Sequence, residues 1–239
     1  MSPSFRFREF EIQHEQSTMK VGTDAIVLGS WLKIDADCKH ILDVGCGSGV
    51  LALMLAQRTS AKIHAIDIDE ASVLEADLNF KNSPWKNQLK AFHCAFQNYL
   101  PPGNIKYDLI VSNPPFFQNS LLPRSERLRL AKHNIALTMP HFVENVKRLL
   151  NDNGRWAVIL PLESFDDILM LATQSGFRMT NRLNVIPKTG KPVKRIAVEF
   201  CRITSKTPES ENLVIRDDDG AYSKAYKFLT QDYHAEGYL

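Results

Sequence analysis

Two short stretches of the chain carry residue types that can do chemistry. The first is LDVGCGSG, residues 42–49, which follows an apolar run and opens into another. Glycines at 45, 47 and 49 permit a tight backbone turn and let a ligand approach with no Cβ in the way. A dinucleotide fingerprint would read GxGxxG, with pyrophosphate on the helix N-terminus. Here Val50 stands where the third glycine of that pattern belongs, and Asp43 precedes the glycines, giving DxGxGxG. Asp67, at the end of the next strand, can accept hydrogen bonds from both ribose hydroxyls of a nucleoside. Asp69 reads first as a helix cap and second as a ligand contact. The competing reading of the turn is a purely structural corner between strand and helix.

The second stretch is Asn113-Pro114-Pro115-Phe116, directly after the apolar run YDLIVS. Two prolines stiffen the backbone and supply no N–H donors, while their carbonyls stay free to accept. An Asn amide oxygen beside a Pro carbonyl makes an acceptor pair for an NH2 group, and Phe116 can stack on a flat ring next to it. The lone pair of an amine on an aromatic base or amide is delocalised into the π system. Holding both hydrogens favours a pyramidal nitrogen that can attack an electrophilic carbon. Positioning then supplies much of the rate, on the order of 7–11 kcal/mol in the best cases. Asparagine and proline are also ordinary turn residues, so a plain strand-closing turn competes with this reading. No catalytic triad spacing or GxSxG elbow accompanies either stretch.

These stretches need a frame to position them. HILDV (40–44), KIHAID (62–67), LKAFH (89–93), YDLIVS (107–112) and RWAVILP (155–161) read as buried strands. Helical segments alternate with them. One follows the glycine turn over Leu51, Leu53, Met54 and Leu55. A second runs from Asp69 to about Asn82, a third starts at Thr138 and Pro140 and stops after Leu149-Leu150, with Gly154 marking the stop, and a fourth runs from Phe165 to Ser175. RLNVI (182–186) and RIAVEF (195–200), joined by PKTGKP, read as an antiparallel pair. Ahead of this frame, Phe5, Phe7, Phe10 and Ile12 suggest a short strand or hairpin, and Asp24 is expected to cap an amphipathic helix reaching Leu32. The fold class is therefore α/β: a mostly parallel seven-stranded sheet with an antiparallel C-terminal hairpin and helices on both faces. One domain is expected over residues 1–239, with 1–35 as a flank or lid and 36–239 as the core.

Composition narrows the function classes. The chain has 239 residues, 44% hydrophobic and 23% charged, so it can bury a good core and disorder is not expected. No run approaches the length of a membrane span, and the first residues lack the apolar core of a secretion leader. Cys38, Cys46, Cys94 and Cys201 are scattered, without a CxxC pair or a histidine cluster, and the seven histidines form no HExxH. No metal is expected, and the cysteines read as reduced thiols in a cytoplasm. A net charge of +2 neither demands nor excludes nucleic acid.

DxGxGxG resembles motif I of the Rossmann-like S-adenosylmethionine methyltransferases, whose cofactor carries an ammonium group and no phosphate. Three segments in order, MKVGTDAIVLGSW (19–31), LDVGCGSGVLALMLAQRT (42–59) and SNPPFF (112–117), resemble the bacterial family that methylates N6 of adenine 37 in a valine tRNA. LVIR (213–216) and YSKAYKFLTQDY (222–233) extend the likeness to most of the chain. The resemblance implies S-adenosylmethionine as cofactor and tRNA as substrate. It implies that Asp43, Gly45 and Gly47 line the methionine side of the cofactor, that Asp67 holds the ribose, and that Thr23 and Lys20 approach from the N-terminal segment. Asn113, Pro114 and Phe116 would hold the target base. For Lys20 and Thr23, simple helix-entry chemistry is an equal alternative. One departure stands out: such enzymes usually carry an acid after the third strand to read the cofactor adenine, and this chain has HCAFQN (93–98) there. Backbone is expected to take that role, with Phe96 as an apolar wall.

For the RNA, Arg124, Arg127, Arg129, Lys132 and His133 form a basic run beside the NPPF loop that can grip phosphates. Lys188, Lys191, Lys194 and Arg195, around the last hairpin, read as a solvated face, and Arg6 and Arg8 add a third group. A stacked base would have to be extruded to reach Asn113, at a cost of about a few kcal/mol. Rival activities sharing an NPPF or NPPY loop are ribosomal RNA guanine N2 and protein glutamine N5 methylation. The glutamine enzymes typically carry a helical N-terminal domain, for which little chain precedes motif I. DNA adenine methylation would want a larger target-recognition region. A cofactor-binding module without catalysis is the alternative outside enzymes. No obligate protein partner is evident.

Overall fold

A computed structural model of the chain describes residues 4–17, 20–114, 137–203 and 207–234. Phe116, Arg124, Arg127, Arg129, Lys132 and His133 lie outside the described residues.

The N-terminal segment forms a two-stranded antiparallel ribbon, β1 (Ser4–Arg6) and β2 (Glu11–Gln13), and then α1 (Thr23–Trp31). The α/β alternation follows: β3 (His40–Val44), α2 (Val50–Ala56), β4 (Lys62–Asp67), α3 (Glu70–Lys81), β5 (Leu89–His93) and β6 (Tyr107–Ser112). After the undescribed segment come α4 (Met139–Leu149), β7 (Leu150–Pro161), α5 (Phe165–Gln174), β8 (Arg178–Lys188), β9 (Arg195–Cys201), β10 (Glu209–Arg216) and α6 (Lys224–Thr230).

The main sheet has the order β10-β8-β9-β7-β6-β3-β4-β5. β9 runs antiparallel to both its neighbours, and every other neighbouring pair is parallel. The hairpin expected near the C-terminus is present as β8–β9. The sheet has eight strands, one more than the seven expected, because β10 adds in parallel to β8 at the edge.

Strand residues alternate between two cores, as a sheet covered on both faces requires. Ile41, Ile63, Ala65, Leu109, Val111, Ala157 and Ile159 pack with α1, α2, α3 and α6. Leu42, Val44, Ile66, Ile110, Trp156, Val158 and Leu160 pack with α4 and α5 on the other face. Trp156 is fully buried there, stacked on Phe200 with ring centroids 4.4 Å apart.

Two local expectations need correction. The N-cap of α1 is Gly22, which has no side chain to cap with, and Asp24 sits inside the first turn instead. Its carboxylate accepts from Arg195 Nε at 3.0 Å, so it ties the helix to β9. Nor is α1 one-sided: Ala25 through Gly29 are all buried, because the helix is wedged between α2 and α6.

Candidate active site

The carboxyl ends of β3 and β6 meet where the chain order reverses. From β3 the chain moves outward through β4 to β5, and then returns to place β6 on the other side of β3. In open α/β sheets this crevice is where ligands bind. Val44 pairs with Ser112 in register, so Gly45 and Asn113 are the next residues out on two adjacent strands. Neighbouring strands lie about 4.8 Å apart. The Ser112 hydroxyl donates to the Val44 carbonyl at 2.6 Å and locks the two ends together.

The glycine turn is held from beneath. Gly45 and Cys46 N–H both donate to the Ile66 carbonyl, at 2.8 and 3.0 Å, and Gly49 N–H donates to the Cys46 carbonyl at 2.8 Å. Gly45, Gly47 and Gly49 adopt φ of 71°, 53° and 82°, which favour glycine. They differ in surroundings. A Cβ on Gly49 would lie 2.5 Å from the Phe80 ring, so that glycine serves helix packing. A Cβ on Gly45 or Gly47 would meet no protein atom within 4 Å. Those two face open space and form a cradle that a ligand can approach down to the backbone.

The two acids play different parts. Asp43 is 1% exposed and accepts the Ala52 N–H at 3.2 Å, bracing the first turn of α2 beneath the glycines. Burial pushes its carboxyl up to about 7; the Ala52 hydrogen bond opposes this and the charge of Asp67 adds to it. Asp67 is only partly buried. It accepts Gly47 N–H at 2.9 Å and Asp69 N–H at 3.0 Å, one on each oxygen. Each carboxylate oxygen keeps a further lone pair for a ligand hydroxyl. Burial raises its pKa, against the hydrogen bonds from Asp69 and Gly47. Asp69 is the N-cap of α3, accepting from Ser72 N–H at 2.9 Å.

The segment after β5 differs from expectation. Phe96 is 3% exposed and packs on Phe142 in the core shared with α4 and α5, so it forms no wall toward the crevice. Three other features are at that edge: exposed Ile68, the His93 imidazole in hydrogen-bond contact with the Ile68 carbonyl at 3.0 Å, and the Cys94 N–H donated to the Asp67 carbonyl at 2.9 Å. The chain after β5 is thereby strapped to the chain after β4.

Asn113 is partly exposed and Pro114 is buried at the mouth of the crevice. Asp43, Gly45, Gly47, Asp67, Asn113 and Pro114 therefore share the carboxyl edge of three adjacent strands. Thr23 opens α1 and is exposed, as is Lys20. The Asp24–Arg195 bond anchors the start of that helix at the same edge, because Arg195 pairs with Pro161 at the carboxyl end of β7.

Sequence reasoning missed a pair on α3. Glu75, 6% exposed, accepts the N–H groups of Glu15, Gln16 and Ser17 at 2.7, 2.9 and 2.8 Å. Burial alone would raise its carboxyl, but these donors and the Ser17 hydroxyl outweigh it and hold the pKa below the ordinary range. Asn79, one turn on, accepts Gln13 N–H at 2.9 Å and donates to the carbonyls of Gln13 and Ser48 at 2.8 and 2.9 Å. Its side chain thus joins the N-terminal segment to the glycine turn. Two inward-facing polar residues four apart on a helix were the available signal.

Residues 17–163 match the methyltransferase small domain family. A protein of Parabacteroides distasonis described as a tRNA1(Val) (adenine(37)-N6)-methyltransferase is 36% identical, over 98% of this chain and 98% of its own. One of the same description from Tolumonas auensis is 37% identical, over 97% of this chain and 96% of its own. The chain belongs to the methyltransferase small domain family, within its tRNA1(Val) adenine-37 branch. Among solved structures, a predicted O-methyltransferase from Agrobacterium tumefaciens aligns with a TM-score of 0.67 at 15% identity, covering 89% of this chain and 98% of that one. A putative RNA methyltransferase from Pyrococcus horikoshii aligns at 0.53 with 19% identity, covering 77% and 82%. These likenesses establish the Rossmann-like methyltransferase fold. Among the described residues no group of three His, Cys, Asp or Glu side chains is placed to hold a metal, and no helix is long and apolar enough to cross a membrane.

Proposed function

We propose that this protein methylates N6 of adenine 37 in the anticodon loop of a valine tRNA, with S-adenosylmethionine as methyl donor. The observation that carries the reading is the register pair Val44–Ser112, which sets the glycine cradle and the Asn113-Pro114 acceptors side by side at the switch point. Family membership supports both cofactor and substrate.

The residues present fit the cofactor. Gly45 and Gly47 leave an open cradle without side chains, and Asp67 keeps lone pairs for a ribose. Asp43 braces the turn from beneath, on the methionine side of the cradle, and in its ionised form favours a cationic ligand above. When bound, S-adenosylmethionine supplies an electrophilic methyl on a positively charged sulfur, already a good leaving group.

The chain's own contribution is positioning. The Asn113 side-chain oxygen and the Pro114 carbonyl accept the two amino hydrogens of the base, and Phe116 stacks on its ring. Prolines 114 and 115 offer no competing donor. The amino lone pair then points toward the glycine cradle. Methyl transfer would break the carbon–sulfur bond and leave its electron pair on sulfur, while the nitrogen would shed one proton to water from the N–H groups that Asn113 and Pro114 hold by hydrogen bonds. Lys20 and Thr23 flank the cofactor, and Arg124, Arg127, Arg129 and Lys132 take RNA phosphates. In this reading residues 1–239 work as one catalytic unit in the cytoplasm, with residues 1–35 as its flank.

The test is incubation with labelled methyl donor and total tRNA, followed by digestion to nucleosides. Label is expected in N6-methyladenosine; label confined to protein would reject the RNA reading. Asn113→Ala is expected to abolish turnover while cofactor binding persists, and near-normal turnover would contradict the role given to this side chain.

A further inference from the structure

The hairpin between β8 and β9 read as a solvated face in the sequence, yet its position in the fold suggests more. Ser112 is in register with Val158, Val158 with Val198, and Val198 with Arg182. β8 runs parallel to β6 and continues from Arg182 to Lys188 past that level. At about 3.3 Å per residue the tip stands roughly 20 Å beyond the Asn113 edge. With β9 and β7 between β8 and β6, it is offset sideways by roughly 14 Å at about 4.8 Å per strand. It is an arm on the same edge of the sheet as the crevice.

The arm is built, not loose. Lys191 N–H donates to the Lys188 carbonyl at 3.0 Å and Lys194 N–H to the Val185 carbonyl at 3.0 Å. Thr189 N–H donates to the Arg216 carbonyl at 2.9 Å, and Leu162 N–H to the Lys194 carbonyl at 3.3 Å. Lys188, Lys191 and Lys194 line one groove with Pro187, Pro192 and Val193, where Glu163 is the sole acid. Among the described residues no ion pair engages any of these three lysines, whereas neighbouring Arg195 is taken by Asp24. The acidic turn Asp217–Asp219 follows β10, the strand beyond β8 at the sheet edge and so farther from the crevice than the arm.

We propose that Lys188, Lys191 and Lys194 form a phosphate-gripping arm for the RNA substrate. This rests on the tRNA reading above and deepens it. The arm's reach suits backbone away from the target nucleotide, in the paired stem and not in the loop. Ammonium groups grip phosphates without reading bases, so the arm contributes affinity and orientation.

The test compares the wild type with a variant carrying Lys188→Ala, Lys191→Ala and Lys194→Ala together. Methylation is measured on full-length tRNA and on a short single-stranded RNA bearing only the loop sequence, and tRNA binding is followed by fluorescence anisotropy across a salt series. The variant is expected to raise KM for tRNA about tenfold with kcat within about twofold. The salt slope of log affinity should become shallower by roughly 2 to 3, from about 0.7–0.9 per lost phosphate contact. KM for the short RNA and cofactor affinity should not change, and the triple Lys→Arg variant should restore tRNA binding. An unchanged salt slope and KM on tRNA would overturn the arm, and so would equal losses on both RNAs. A wild type that binds tRNA through these lysines but never methylates it would instead strike the proposed activity alone.

Discussion

The Ser112 hydroxyl lies 2.6 Å from the Val44 carbonyl, in a fully buried position where the two central strands end. A carbonyl at that depth without a donor would cost about 1–3 kcal/mol. The bond also fixes where two loops leave the sheet: one lined for a ligand, the other lined with acceptors. Ser112→Ala is expected to lower Tm by roughly 2–4 °C per kcal/mol lost, and to lower kcat about tenfold with cofactor Kd within about twofold. Calorimetry, ligand titration and turnover together check this. A drop in Tm with kcat untouched would reduce the bond to a role in stability.

Substitutions at two glycines of the turn should separate binding from folding. Gly45→Ala puts a methyl into the open cradle at φ 71°, with no protein atom near it. Backbone strain of about 1 kcal/mol is expected, together with a loss of cofactor affinity above tenfold. Gly49→Ala drives its methyl against Phe80 at 2.5 Å. Overpacking of this kind costs about 1–3 kcal/mol, on top of the strain, so melting temperature should fall further than for Gly45→Ala. Equal loss of affinity in both variants would refute the distinction.

The Asp43 carboxyl, raised to about 7 by burial, gives a pH signature. In the unfolded chain it titrates near the ordinary value of about 4. As pH rises the unfolded form releases its proton first, so stability falls between about pH 4 and 7 and levels off above. The full swing is on the order of 4 kcal/mol at about 1.4 per unit. Cofactor-free wild type should melt higher at pH 5 than at pH 8, and Asp43→Asn should flatten that window and melt above the wild type at pH 8. Identical pH profiles would show that Asp43 is not the group responsible.

Glu75→Gln addresses the N-terminal seat. Its carboxylate holds three consecutive backbone N–H groups, and the amide oxygen of glutamine is a weaker acceptor. Proteolysis near residues 13–17 is expected to accelerate several-fold, with KM for the cofactor rising more than kcat falls. Because the native pKa is depressed, the extra stability is present above the ordinary Glu value and is lost as pH falls through the native one. Unaltered protease resistance in the variant would remove Glu75 from this role.

Much of this arrangement is written locally in the chain. β3, β4, β5 and β6 coincide with apolar runs bounded by Asp, Gly, Pro and Asn, and α3 starts after Asp69 and stops before Asn82, as its capping residues indicate. β10 was hidden because it is an edge strand: Glu209 through Asn212 are exposed, and only Leu213 and Ile215 carry the alternation. Asp24 misled because its partner, Arg195, is distant in sequence and outcompetes capping. Phe96 misled because its position after β5 suggests the crevice while its ring turns into the core. For the site, the glycine turn and the prolines declare themselves by type. Ser112, Glu75 and Asn79 do not, since each matters through backbone groups that only the folded chain brings near.

The first and last described segments are stitched together. Arg8 N–H donates to the Tyr233 carbonyl at 2.8 Å, Phe7 and His234 form an antiparallel bridge, and Gln57 Nε2 donates to the Asp232 carbonyl at 2.9 Å. Contacts this far apart along the chain form late, since loop closure must precede them. On the ribosome, residues 7–8 cannot make these pairings until residues 233–234 have emerged, so chains stalled before that point should leave the β1–β2 ribbon open to protease.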